Sequence, residues 1–155
     1  MDNPFWDYSL RTYACDAVAP ACISLQDEHG LDVNLLLYGA WLAHTGRRLT
    51  IEHLIAAEEV VADWRTNVIA PLRTLRRRMG AHPSAASVAV DLQTLELRAE
   101  RHQQDMLYTL SQQGPALPPA VRPLSDNLAL VARFNCSNND GWTAAIGQLV
   151  AQIPL

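Results

Sequence analysis

Between Leu31 and Ala43 the chain reads LDVNLLLYGAWLA, and beyond Asp32 its one strongly polar side chain is Asn34. Such a segment forms a helix that is apolar on every side, and a helix of that kind has to be enclosed by other helices. It is too short to cross a bilayer, which takes about 20 apolar residues. The segment therefore predicts an all-α helical bundle built around one central helix, about residues 32–45, with seven to eight helices and no sheet. A chain of 155 residues is long enough to bury a real core as one domain.

Punctuation residues divide the rest of the chain. Asn3-Pro4 pairs an N-cap residue with a proline at the first helical position and starts a helix running to about Cys15. Asp16 is placed to cap a second helix that ends at His29, with Pro20 in its first turn and Gly30 as its left-handed stop. Asp32 caps the central helix, and Gly46 follows its end. Thr50 caps the next helix, along which Leu54, Val61, Trp64, Val68, Leu72, Leu75 and Met79 recur at helical spacing. Pro71 predicts a kink near residues 67–70, and Gly80 closes the segment. His82-Pro83-Ser84 opens a long helix to about Gln112, with Val88, Leu92, Leu95, Ala99, His102, Met106 and Leu110 as its expected inner stripe. The four prolines of GPALPPAVRP mark a connector. Ser125 then caps a short helix and Asp140 a last one. The organisation expected is one domain over 1–155: a main bundle at 1–112, a Pro-rich connector at 113–124 and a C-terminal helical pair at 125–155.

Charged residues make up 18% of the chain and hydrophobic ones 49%, with a net charge of −4. The charged share is below the usual level of about 25%: either much of the chain is buried, or some apolar surface is left for a partner. All 12 basic residues are arginine, a side chain that forks onto carboxylates and phosphates; a GC-rich genome accounts for the bias. The three cysteines, Cys15, Cys22 and Cys136, have neither metal-ligand nor redox spacing and suit a reducing compartment. MDNPFWDYS carries no basic or apolar leader pattern. The expected location is the cytoplasm, with no membrane partner.

The run FWDYSLRTYA, followed by LQDEHGLDVNLLLYGAWLA, resembles a family of short proteobacterial proteins catalogued only as a domain of unknown function. The resemblance covers roughly the first two-thirds of the chain. It implies a bacterial cytoplasmic helical protein with a more variable C-terminal part, and brings no activity, cofactor or catalytic residue. The function has to be argued from the residues.

Four constellations bear on it. At the corner QDEHGLDVN, a carboxylate and His29 lie close enough to bind a metal or move a proton, but capping explains Asp32, Gly30 and His29 without further assumption. Asn34, Tyr38 and Trp41 lie along one side of the central helix and can line a ligand cleft, or pack as core aromatics with polar margins. Glu52, Glu59 and Asp63, with Glu96, Glu100 and His102, supply carboxylates, yet no Glu-x-x-His pair of a di-metal bundle occurs and arginines alternate with them as on a solvated face. Arg73, Arg76 and Arg77 share a helix face that can grip an acidic partner, or simply complement a helix C-terminus. A net acidic chain speaks against nucleic acid. No nucleophile elbow or phosphate-binding glycine loop occurs, so no catalytic residue, metal site or cofactor is expected. The leading expectation is a non-enzymatic interaction or regulatory module meeting a protein partner through an apolar groove rimmed by Arg73, Arg76 and Arg77; a homodimer is left open beside it. The other reading is a small-molecule-binding protein or enzyme using Asn34, Tyr38 and Trp41, with His29 as its acid–base group.

Overall fold

The computed structural model describes residues 2–136 and 141–154. They form eight α-helices: α1 Pro4–Tyr13, α2 Val18–His29, α3 Val33–His44, α4 Ile51–Trp64, α5 Ala70–Gly80, α6 Ala86–Gln113, α7 Leu124–Asn135 and α8 Trp142–Gln152. A π turn, Arg65–Ile69, joins α4 to α5, and a 3-10 turn, Pro83–Ala85, precedes α6. Among the described residues there is no sheet; a single isolated bridge joins Arg47 and Pro119. None of these helices is long and apolar enough to cross a membrane.

The central rod is α3. Every residue from Asn34 to Leu42 is buried, because α1, α2, α6 and α7 all pack on it. Its start is fixed by Asp32, whose carboxylate accepts from the backbone N–H of Asn34 at 2.8 Å and of Leu35 at 3.3 Å. Asn3 does the same for α1, accepting from Phe5 and Trp6 at 3.0 and 3.1 Å, and Thr50 for α4 through the His53 N–H. These are the orphan donors of a helix start, and each cap contributes about 1 kcal/mol. Gly30 and Gly46 turn the chain at φ 67° and 71°, a region that costs a side-chain-bearing residue strain.

Gly39 lets α7 cross α3 closely. The Gly39 carbonyl accepts from Asn127 Nδ2 at 3.0 Å, and a methyl group at residue 39 would touch Asn127 and Val131 at 3.6 Å. Asn127 is fully buried and fully used: Nδ2 also donates to the Arg47 carbonyl and Oδ1 accepts from the Leu49 N–H. The connector is tied to the same corner by Arg48 N–H donating to Pro118 O at 2.8 Å and Ala120 N–H to Gly46 O at 2.9 Å. Helix α8 packs on α2 and α7.

Several local expectations are corrected. Helix α2 begins at Val18 after Ala17, with no side-chain cap, so Asp16 does not cap it. Helix α7 begins at Leu124 after Pro123, which puts Ser125 inside the helix rather than at its cap. Asp140 lies outside the described residues. The kink before Pro71 takes the form of the π turn: proline has no N–H for the Asn67 carbonyl, and the ladder shifts so that Ala70 N–H reaches back to Arg65 O.

The largest correction concerns α6. Its buried residues are Glu96, Ala99, Gln103, Gln104 and Leu107, whereas Val88 and Leu95 are 47% and 48% exposed and His102 lies at the surface. Of the expected stripe Ala99 is buried and Leu92, Met106 and Leu110 are half-buried, whereas Val88, Leu95 and His102 face outward, and Glu96, Gln103 and Gln104 take the inward places beside them.

Candidate functional site

Those inward polar residues build two structures, one between α3 and α6 and one between α5 and α6. In the first, Asn34 Nδ2 donates to Gln103 Oε1 at 3.0 Å, and Gln104 Nε2 donates to Asn34 Oδ1 at 2.8 Å. Gln103 Nε2 donates in turn to Asp32 Oδ2 at 2.8 Å. Arg65, on the π turn, donates to the same Asp32 oxygen at 3.1 Å and forks onto Glu58. The Glu58 hydrogen bond, with the Asp32 charge behind it, holds the Arg65 guanidinium firmly protonated. The two buried amides register α6 against α3 through directional bonds where apolar packing would leave the register freer. Asn34 is thus a structural clasp.

The other members of the cleft reading are packed solid. Phe5 fits against both Tyr38 and Trp41, with ring centroids 5.4 and 5.3 Å away, and Tyr108 meets Trp41 edge-on at 5.8 Å. Tyr38 is fully buried and Trp41 is 4% exposed. The Tyr38 hydroxyl bonds to His53 Nε2 at 2.8 Å, while His53 Nδ1 bonds to the Pro115 carbonyl at 2.7 Å. A carbonyl only accepts, so Nδ1 carries the proton and Nε2 accepts from tyrosine. Burial lowers the His53 pKa from its ordinary value, and burial also pushes Tyr38 well up. Both groups are therefore neutral. They tie α3 to α4 and to the connector. His29 is half-buried at the end of α2, where its carbonyl accepts from the Cys136 thiol at 3.2 Å. The structure does not bring it to the Asn34–Tyr38–Trp41 stripe by any hydrogen bond or ring contact among the described residues.

The second polar structure takes up the arginines. Arg73 Nε donates to Glu96 Oε1 at 2.9 Å and its Nη2 to Glu100 Oε1 at 3.0 Å. Arg76 donates to both Glu96 oxygens. Arg77 reaches Asp27 of α2 at 3.2 Å. Burial favours a neutral Glu96, but the hydrogen bonds from Arg76 and Arg73 outweigh it and hold the carboxyl below its ordinary pKa. At Glu100 burial wins, and its pKa is raised. All three guanidiniums expected to rim a partner's groove are engaged by the chain's own carboxylates. Arg73 and Arg76 brace α5 onto α6, and Arg77 ties α5 to α2. Glu96 and Glu100 are likewise committed, and His102 packs against the Trp64 ring at 4.6 Å. Among the described residues, no three His, Cys, Asp or Glu side chains gather as metal ligands.

What remains available is the outside of the hairpin. None of the residues from Ala70 to Leu95 is buried. Leu72, Arg73, Arg76 and Met79 of α5 and Ala89 and Leu92 of α6 are half-buried along the seam, while Leu75, Val88, Val90, Leu95 and Leu97 stand 44–60% exposed. Along α5 and the π turn, Thr66, Ala70, Pro71, Thr74, Leu75 and Arg78 line a shallow depression of about 520 Å³. Sequence periodicity misses this arrangement because it weighs apolar residues alone. The overlooked signal is the seven-residue step from Glu96 to Gln103, two turns of one helix face.

The family model described as "Protein of unknown function (DUF2390)" matches residues 4–107, and the chain belongs to that family. The matched span runs from the first residue of α1 into α6 and takes in both the Asn34 clasp and the α5–α6 hairpin. No curated protein and no solved structure matches the chain.

Proposed function

We propose that this protein is a non-enzymatic interaction module of the bacterial cytoplasm, and that the α5–α6 hairpin is its docking arm. The observation that carries the reading is the mixed polarity of α6, which buries three polar side chains beside Ala99 and Leu107 and leaves four large apolar ones exposed. Its Glu96, Gln103 and Gln104 are 1–6% exposed, while its Val88, Val90, Leu95 and Leu97 are 47–60% exposed. A helix that only completes a bundle puts its apolar face inside. Apolar side chains turned outward along an arm suit a protein surface that covers them. Helix α4 makes the contrast: it also exposes Ile51 and Ile55, but buries Leu54, Ala57 and Val61 on the opposite side in the ordinary way. The cytoplasmic setting is supported by the sequence resemblance and by three free thiols.

The arginines enter this reading as braces. Arg73 and Arg76 hold the arm in shape, and the contact with a partner is apolar. The test is affinity purification from the native bacterium with the wild type and with a Leu75→Glu/Leu95→Glu variant. The expected result is that a partner held by the wild type is lost by the variant while its melting temperature stays within a few degrees. A set of captured proteins that does not change with the variant overturns the arm as the docking site.

A further inference from the structure

We infer that the occupant of the arm is a second copy of this chain, seated on the side of the hairpin that carries Leu75, Val88 and Leu95. The inference rests on the docking-arm reading and adds the identity of the partner.

Helix geometry selects the side. A helix turns about 100° per residue. On α5, Leu75 lies roughly a quarter-turn from the seam of Leu72, Arg76 and Met79. On α6, Val88 and Leu95 lie just under a quarter-turn from the seam of Ala89, Leu92 and Glu96. The helices run antiparallel, so these rotations bring all three apolar side chains to one side of the hairpin. Farther round, Arg78 stands at the α5 edge of that side and Asp91 at the α6 edge. Both are exposed, and neither has an ion-pair partner among the described residues.

The end of the strip that carries Arg78 on one edge and Asp91 on the other is complementary to itself under a two-fold rotation; exposed Arg98, seven residues on from Asp91, shares the α6 edge. With the axis parallel to the hairpin, α5 of one protomer lies across α6 of its partner, antiparallel to it. Arg78 then faces the partner's Asp91, and the symmetry repeats the pair. Leu75 packs among the partner's Val88 and Leu95, closing a four-helix bundle from two hairpins.

The test needs no ligand: light scattering and analytical ultracentrifugation of the full chain from micromolar to millimolar concentration. The variants are Arg78→Asp, Asp91→Arg, the double reversal, and Leu95→Glu. The wild type is expected to dimerise. Each single reversal should raise the dimer dissociation constant roughly 10- to 100-fold, because the symmetric pair is lost twice. The double reversal should restore the dimer, and Leu95→Glu should abolish it. Circular dichroism melting checks that each variant folds. A wild type that stays monomeric at millimolar concentration overturns the inference, as does a dimer indifferent to all four variants. In either case the affinity purification with Leu75→Glu/Leu95→Glu decides separately whether the arm docks some other protein.

Discussion

Helices α3 and α5 lie in one chain, 12 and 11 residues long, and they solve opposite problems. Helix α3 buries nine consecutive residues, while α5 buries none. The rod is held by the number of its neighbours. The arm is held by one seam and by the charged bonds that Arg73 and Arg76 make to Glu96 and Glu100. Burial from several sides gives stability that no single bond controls, whereas a two-helix arm opens by local unfolding when its few ties are cut. The comparison sets a part of the fold enclosed from several sides against a part held along one seam.

The strongest way to break the comparison is in the rod. Phe5→Ala should remove the ring between Tyr38 and Trp41 and cost about 3–5 kcal/mol, read as a cooperative loss in chemical denaturation. A cost below about 1 kcal/mol, the level of a surface change, would show that the aromatic centre is loosely packed. Next comes the clasp. Asn34→Ala leaves Gln103 Oε1 and Gln104 Nε2 buried without the partners they now have, at about 2–4 kcal/mol for the two groups. Asn34→Leu fills the space but leaves the same orphans, so it should not rescue.

The arm should respond differently in kind. Glu96→Ala cuts Arg73 and Arg76 from their shared carboxylate. The arginine side chains are 23% and 32% exposed, so solvent moderates the loss to about 1–2 kcal/mol. Hydrogen exchange should report it as faster exchange across residues 70–95 with protection in α3 unchanged. Equal loss of protection in both regions would mean that rod and arm unfold as one unit.

A pH effect is expected where the rod meets α4, at the Tyr38–His53 bond. His53 has a lowered pKa in the fold, against 6.5 for the ordinary side chain. Between those two values the unfolded chain binds more protons than the folded one, so stability rises with pH. Acidification from neutrality should therefore lower the melting temperature as pH falls through 6.5, until the folded-state pKa is passed. The groups facing His53 are Tyr38, the Pro115 carbonyl and the more distant positive charge of Arg47. None of them titrates in this range. His53→Gln should flatten the profile there; an unchanged profile would assign the effect to another histidine.

The rod was the legible part of the molecule. Asp32, Gly30, Gly46 and Thr50 set its boundaries through local chemistry that reaches only a few residues, and such signals are written in the sequence itself. Asn34 stood out as an amide in an apolar run, although its partners Gln103 and Gln104 lie about 70 residues away and nothing local points to them. The arm was misjudged for the same reason. Periodicity assigned Leu75, Val88 and Leu95 to the inside, and the clustered arginines to a partner. A pattern of hydropathy carries no information on which carboxylate an arginine will find. Arg73 and Arg76 found theirs on α6 of the same hairpin, which sets Glu96 facing α5, and Arg77 found its own on α2.

That reversal makes the smallest expected effect the most discriminating. If Leu95 were a core residue, Leu95→Ser would cost several kcal/mol, as deleting a buried leucine does. Leu95 is 48% exposed, so in dilute monomer the substitution should change stability by no more than about 0.5 kcal/mol. The hydroxyl is solvated in the variant and the methyl groups were already half in water. At concentrations where the arm is covered, the same substitution should lower the melting temperature, because a partner that binds only the folded state stabilises it by mass action. A concentration-dependent deficit assigns Leu95 to a contact surface. A deficit of several kcal/mol that persists on dilution would return it to the core and remove the difference between arm and rod on which the docking surface is founded.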